Sequence, residues 1–212
     1  MIHAKIDDAD LRAFGRALKA LPRNEWPFAT ALSLTRTAAA AQTALRADLP
    51  DRFTVRRPWL LRQVKMEKAT KRQPTPIARV FMSDATDYFA GLQERGGRKR
   101  GRRGGRVAIP TGATRNKRGT IPRGRRPATL LAKRGGPRAY FIGKMRDGTE
   151  GVFERRKSGA ITLLYALEPV VQIKPALGLE QTVRETMKRE FPMIFTRAIA
   201  DIERQLAERA RR

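Results

Sequence analysis

The sequence predicts an α+β fold: a mostly antiparallel sheet packed by N-terminal helices and one long C-terminal helix, with a long basic loop inserted. Three observations carry that expectation. Apolar residues recur at three- and four-residue spacing towards both ends of the chain, and two-residue alternation fills the stretch between. The pairs Asp147-Gly148 and Ser158-Gly159 separate short strand-like segments as tight turns would. Residues 95–138 differ in composition from everything around them, with 16 Lys or Arg, 10 Gly and 4 Pro and neither an acid nor an aromatic residue. The expected organisation is a single α+β domain over 1–212, with 95–138 as an Arg/Lys/Gly-rich loop or arm within it.

Taken in order, Ile2, Ala4 and Ile6 alternate with His3 and Lys5 as a short strand. Asp8 or Asp10 then caps a helix to about Leu21, with Leu11, Phe14, Leu18 and Leu21 on one face, and Pro22 ends it. A second helix is expected from Asn24, with Pro27 in its first turn, to about Leu49, stopping before Pro50. Its buried stripe reads Phe28, Ala31, Leu32, Thr35, Ala38, Ala39, Gln42 and Leu45. Segments 63–69 and 77–83 read as two strands joined by a polar connection, whereas 84–93 fits a short helix or a strand equally. Segments 139–146, 151–157 and 160–167 form a meander, and 170–174 adds a strand after Pro169. The last helix, 179–211, carries Leu179, Val183, Met187, Phe191, Ile194, Phe195, Ala198, Ile202 and Leu206 on one side, with a kink expected at Pro192.

Lys and Arg number 46 against 20 acidic residues, a formal charge of +26. Self-repulsion of that size calls for a polyanionic partner: nucleic acid first, an acidic protein subunit second, anionic lipid a distant third. No run of about 18 apolar residues is present to span a membrane, and the first residues lack the apolar stretch of a secretory signal. The absence of cysteine excludes disulfides and thiolate metal sites and fits assembly in a reducing cytoplasm.

Catalytic chemistry has little to stand on. The single histidine is His3, and Asp7, Asp8 and Asp10 read as complements to a helix start. Asp84, Asp87, Glu150 and Glu154 are the candidates for a two-carboxylate nuclease, and nothing in their spacing favours one. No phosphate-loop pattern occurs. The expectation is a protein that is not an enzyme and uses no cofactor or metal.

The candidate contact residues are therefore the cations of the basic stretch: Arg95, Arg98, Lys99, Arg100, Arg102, Arg103, Arg106, Arg115, Lys117, Arg118, Arg123, Arg125, Arg126, Lys133, Arg134 and Arg138. Arginine pairs well with phosphate, and glycine lets a chain follow a groove. The lack of aromatics argues against base stacking, so binding would be sequence-independent and salt-sensitive. With so few apolar residues the stretch is expected to stay mobile or be ordered by a negative neighbour. Nucleic acid and an acidic neighbouring subunit both fit. A free nucleoid- or RNA-associated protein is the alternative to an assembly component, since Arg-Gly-Gly occurs at 95–97, 103–105 and 134–136.

The order of segments carries a resemblance. Ala31-Leu32-Ser33-Leu34-Thr35-Arg36-Thr37-Ala38 lies in an Ala-rich helix, followed by Val55-Arg56-Arg57, residues 60–69, and a strand ending Ala78-Arg79-Val80. An Arg/Lys/Gly-rich insertion comes next, then Ala139-Tyr140-Phe141-Ile142 and Gly151-Val152-Phe153-Glu154-Arg155-Arg156. Residues 163–174 and a closing helix with Lys188-Arg189-Glu190-Phe191-Pro192 complete it. This pattern resembles the minor tail protein Z family, the tail-completion proteins of lambda-like tailed bacteriophages. The resemblance implies a non-enzymatic virion protein in the phage tail or neck, assembled in the bacterial cytoplasm. It further implies a homo-oligomeric ring at the head-proximal end of the tail. Its partners would be other tail or neck proteins and the DNA backbone, with no membrane.

Overall fold

Two long helices dominate the regular backbone, each carrying buried residues over most of its turns. The computed structural model describes residues 15, 16, 19, 21–72, 75–101, 105–133 and 139–211. The strand expected at 2–6 and most of the first expected helix lie outside these residues; Gly15, Arg16 and Lys19 are helical. The fold is α+β. The chain divides into two compact units, one of residues 1–94 with 176–212, the other of residues 95–175, where the sequence suggested a single domain.

In the first unit, α1 (Trp26–Arg52) and α5 (Leu179–Ala210) pack on each other. Between them in sequence lie α2 (Trp59–Arg62), the antiparallel pair β1 (Val64–Glu67) and β2 (Arg79–Met82), and α3 (Asp87–Arg95). The segment that suited helix or strand thus resolves into a 3-10 turn, Asp84–Thr86, and α3. Helix α1 runs through Pro50, past its expected stop. A proline there removes one backbone bond in the last turn, while Leu49, fully buried, holds that turn to the core and its carbonyl accepts from Phe53 N at 2.9 Å. Helix α5 likewise continues through Pro192.

The buried face of α1 is wider than the expected stripe. Ala31, Ala38 and Leu45 are buried as expected, and a second row of Ala29, Ser33, Thr37 and Ala41 is buried beside them. Ser33 and Thr37 read as polar in sequence, yet their hydroxyls donate to the carbonyls of Ala29 (2.7 Å) and Ser33 (2.9 Å) one turn earlier, which removes the cost of burying them. On α5, Val183 and Met187 are half-buried and pack against the core as expected, while Thr182, Thr186 and Ile199 are buried beside them.

Two apolar clusters result. Leu21, Ala29, Phe191, Phe195, Ile199 and Ile202 form one, and Leu45, Leu49, Val64, Met82, Ala90, Leu177 and Leu179 the other. Polar side chains fasten α1 to the β1 region: Gln42 Nε2 and Arg46 Nη2 donate to Val64 O at 2.9 and 2.8 Å, and Arg46 Nε to Leu61 O at 3.2 Å.

The second unit is built on a four-stranded antiparallel sheet ordered β4 (Val107–Pro110), β7 (Ile161–Glu168), β6 (Glu150–Arg155), β5 (Ala139–Lys144). Pro169 separates β7 from β8 (Val170–Ile173), which pairs with β3 (Gly97–Arg100). The meander falls where the turn pairs placed it, because Gly148 and Gly159 adopt φ of 82° and 83°, a region open to glycine at no steric cost. Residues 95–138, expected as one inserted loop, instead contain β3, β4, the 3-10 turn Arg123–Arg125 and α4 (Pro127–Leu131). Their few apolar residues suffice because a sheet is there to receive them. Leu130, 1% exposed, packs with Val152, Leu164 and Tyr165, and Ala108, Ile121 and Leu131 close around it.

Candidate polyanion-binding surface

Of the 46 basic residues, 22 fall in residues 95–175, against 4 acids, so this unit carries +18 of the chain's +26. Two of the four acids, Glu150 and Glu154, are ion-paired or buried, while Asp147 is exposed and Glu168 half-buried. Glu150 pairs with Arg106 at 3.0 Å, Glu154 is buried and accepts from Tyr140 Oη at 3.3 Å, and Asp147 Oδ1 accepts from Thr149 N at 2.9 Å within its turn.

The candidate cations occupy three kinds of position. Arg95 ends α3 and is exposed. Arg98, Lys99 and Arg100 are exposed on β3, where strand alternation sends Lys99 to one face and its two neighbours to the other. Arg106 precedes β4 and is tied to Glu150. Arg115, Lys117, Arg118, Arg123 and Arg126 are exposed in the connection from β4 to α4, Arg125 is half-buried there, and Lys133 is exposed just after α4. Arg102, Arg103, Arg134 and Arg138 lie outside the described residues.

The connection between Pro110 and Pro127 has a fixed backbone. Asn116 Oδ1 accepts from Arg118 N (3.1 Å), Thr120 N (3.0 Å) and Thr120 Oγ1 (3.0 Å), closing the turn at 116–119 with Gly119 N donating to Asn116 O at 2.8 Å. Arg115 Nη1 reaches across that turn to Gly119 O at 3.1 Å. Further on, Tyr165 Oη donates to Arg125 O at 2.6 Å and fastens the 3-10 turn to β7. Burial pushes the Tyr165 phenol above its ordinary value, while the positive charges of Arg115 and Arg126 act in the opposite direction.

Six exposed cations lie beyond the stretch singled out by composition: Lys144, Arg146, Arg155, Arg156, Lys157 and Lys174. The guanidinium of Arg155 sits 5.6 Å from the Phe141 ring centroid. The run Arg155-Arg156-Lys157 was visible in sequence. Glu150 and Glu154 nearby make its local charge balance look ordinary in sequence, whereas in the fold Glu154 is buried and Glu150 is paired.

The carboxylates weighed for nuclease chemistry scatter. Asp84 opens a 3-10 turn of the first unit, Asp87 begins α3, and Glu150 and Glu154 lie on β6 of the second unit. Among the described residues no group of three or more His, Asp or Glu is placed to hold a metal ion, and no helix is long and apolar enough to cross a membrane. Compared with family models, curated proteins and solved structures, the chain matches none.

Proposed function

We propose that this chain is a structural protein of a tailed-phage virion, a tail-completion or neck component at the head-proximal end of the tail, assembled as a ring around the DNA passage. The observation that carries the reading is the +18 charge on one 81-residue unit in which, of only four acids, Glu150 is ion-paired and Glu154 is buried. A surface of that kind suits sustained contact with a polyanion running past it. The segment order supports the virion context, and the paired long helices of the first unit supply a rigid body able to pack against copies of itself.

The test is genetic and visual. Phage lacking this protein should yield heads and tails that fail to join or fail to retain DNA in negative-stain images. Normal, DNA-filled, head-joined particles would overturn the proposal. A chain that stays monomeric at assembly concentrations and binds RNA and DNA tightly would favour the nucleoid- or RNA-associated alternative.

A further inference from the structure

We propose that the connection 115–126 is a preformed binding site for the phosphodiester backbone of double-stranded DNA, formed by Arg115, Lys117, Arg118, Arg123 and Arg126. The inference rests on the polyanion reading of the basic unit and locates the contact within it. Six of these twelve residues are cationic and none is acidic. Among the described residues, Lys117, Arg118, Arg123 and Arg126 have no carboxylate within ion-pair distance, whereas Arg106 is taken up by Glu150.

Like charges repel, so a chain left to itself would spread them. Here Asn116, Gly119 and the Tyr165 hydroxyl hold the backbone that carries them, and Leu130 anchors the far end in the core. Holding cations together before any ligand arrives is the arrangement that lowers the ordering cost of binding an anion.

Two features choose the partner. Arginine forks match phosphate geometry in pairs, and a duplex offers phosphates at regular spacing along its length. A protein partner would instead look for an apolar anchor at the centre of the contact. The one large apolar residue here, Ile121, is half-buried and packs inward against the core. The cations of β3 are the weaker candidate, since alternation divides them between two faces.

The experiment uses the full chain and a 30-base-pair duplex of arbitrary sequence, read by fluorescence anisotropy at several salt concentrations. One variant carries K117Q, R118Q, R123Q and R126Q. A control carries K144Q, R146Q, R156Q and K157Q, removing the same charge from exposed positions of the same unit. Each is first shown to melt close to the parent; should the first fail to fold, R118A with R123A replaces it. The site variant should lose about tenfold or more in affinity, with a salt slope shallower by about one for each cation removed. The control should lose less than about threefold. Equal losses in both variants would overturn the localised site and leave the polyanion reading standing. No binding by the parent would overturn both. Tighter binding of the parent to poly-glutamate than to the duplex would assign the site to an acidic protein and overturn the DNA assignment.

Discussion

Glu94 does the work of a helix cap from 85 residues away. Its Oε2 and Oε1 accept from the backbone N–H groups of Leu179 and Glu180, at 2.8 and 2.9 Å, where α5 has no side-chain cap of its own. Glu94→Ala should therefore destabilise the first unit by about 1–2 kcal/mol, measurable as a lower urea midpoint with unchanged slope. In the second unit, Tyr165→Phe keeps the ring and deletes only the bond to Arg125 O. A loss of about 1 kcal/mol is expected, with faster amide exchange in the Arg123–Arg125 turn. Neither role was legible in sequence, because each joins residues brought together only by the fold. Glu94 reads there as one more helical acid, and Tyr165 as one more strand aromatic.

Secondary structure was far more legible than roles. The meander, the C-terminal helix and the pairing of β1 with β2 follow from turn residues and apolar spacing, which are local signals. The inner row of α1 was missed because Ser33 and Thr37 hide their polarity in bonds to their own helix, a compensation that spacing rules do not register. The short elements described within 95–138 were missed for a different reason: composition measures how much there is to bury, whereas burial also depends on a receiving surface supplied by β6 and β7. Phe191, 5% exposed on α5, tests the element directly. Phe191→Ala should cost about 3–5 kcal/mol in chemical denaturation. Serine at Arg98 and Arg100 together should shift the melting temperature by no more than a degree or two, since both side chains are exposed on β3 and fill no core.

For the whole molecule, charge outweighs any single contact. With +26 on 212 residues, +18 of it in the basic unit, self-repulsion works against the compact state, and salt screens it. Raising sodium chloride from 50 to 500 mM should raise the melting temperature by about a few degrees, more for the transition of the basic unit than for the helical one. A melting temperature that falls with salt would mean that the ion pairs, such as Arg36 with Asp201 at 3.0 Å, contribute more than the excess cations take away.

The backbone at the base of the basic unit has a consequence of another kind. Gln93 O accepts from both Ala176 N (2.7 Å) and Leu177 N (2.8 Å), so the chain returns to the point it left after an excursion of residues 95–175. A detour that begins and ends at one spot is a cassette. The rest of the chain meets it as a closed loop, and closing a loop costs only logarithmically more as it lengthens. Joining Glu94 to Ala176 by a short Gly-Ser turn should leave the helical unit folded, with its circular-dichroism helix signal kept and its formal charge reduced to +8. The same economy lets such a cassette be exchanged, lengthened or recharged while both apolar clusters of the helical unit keep all their members.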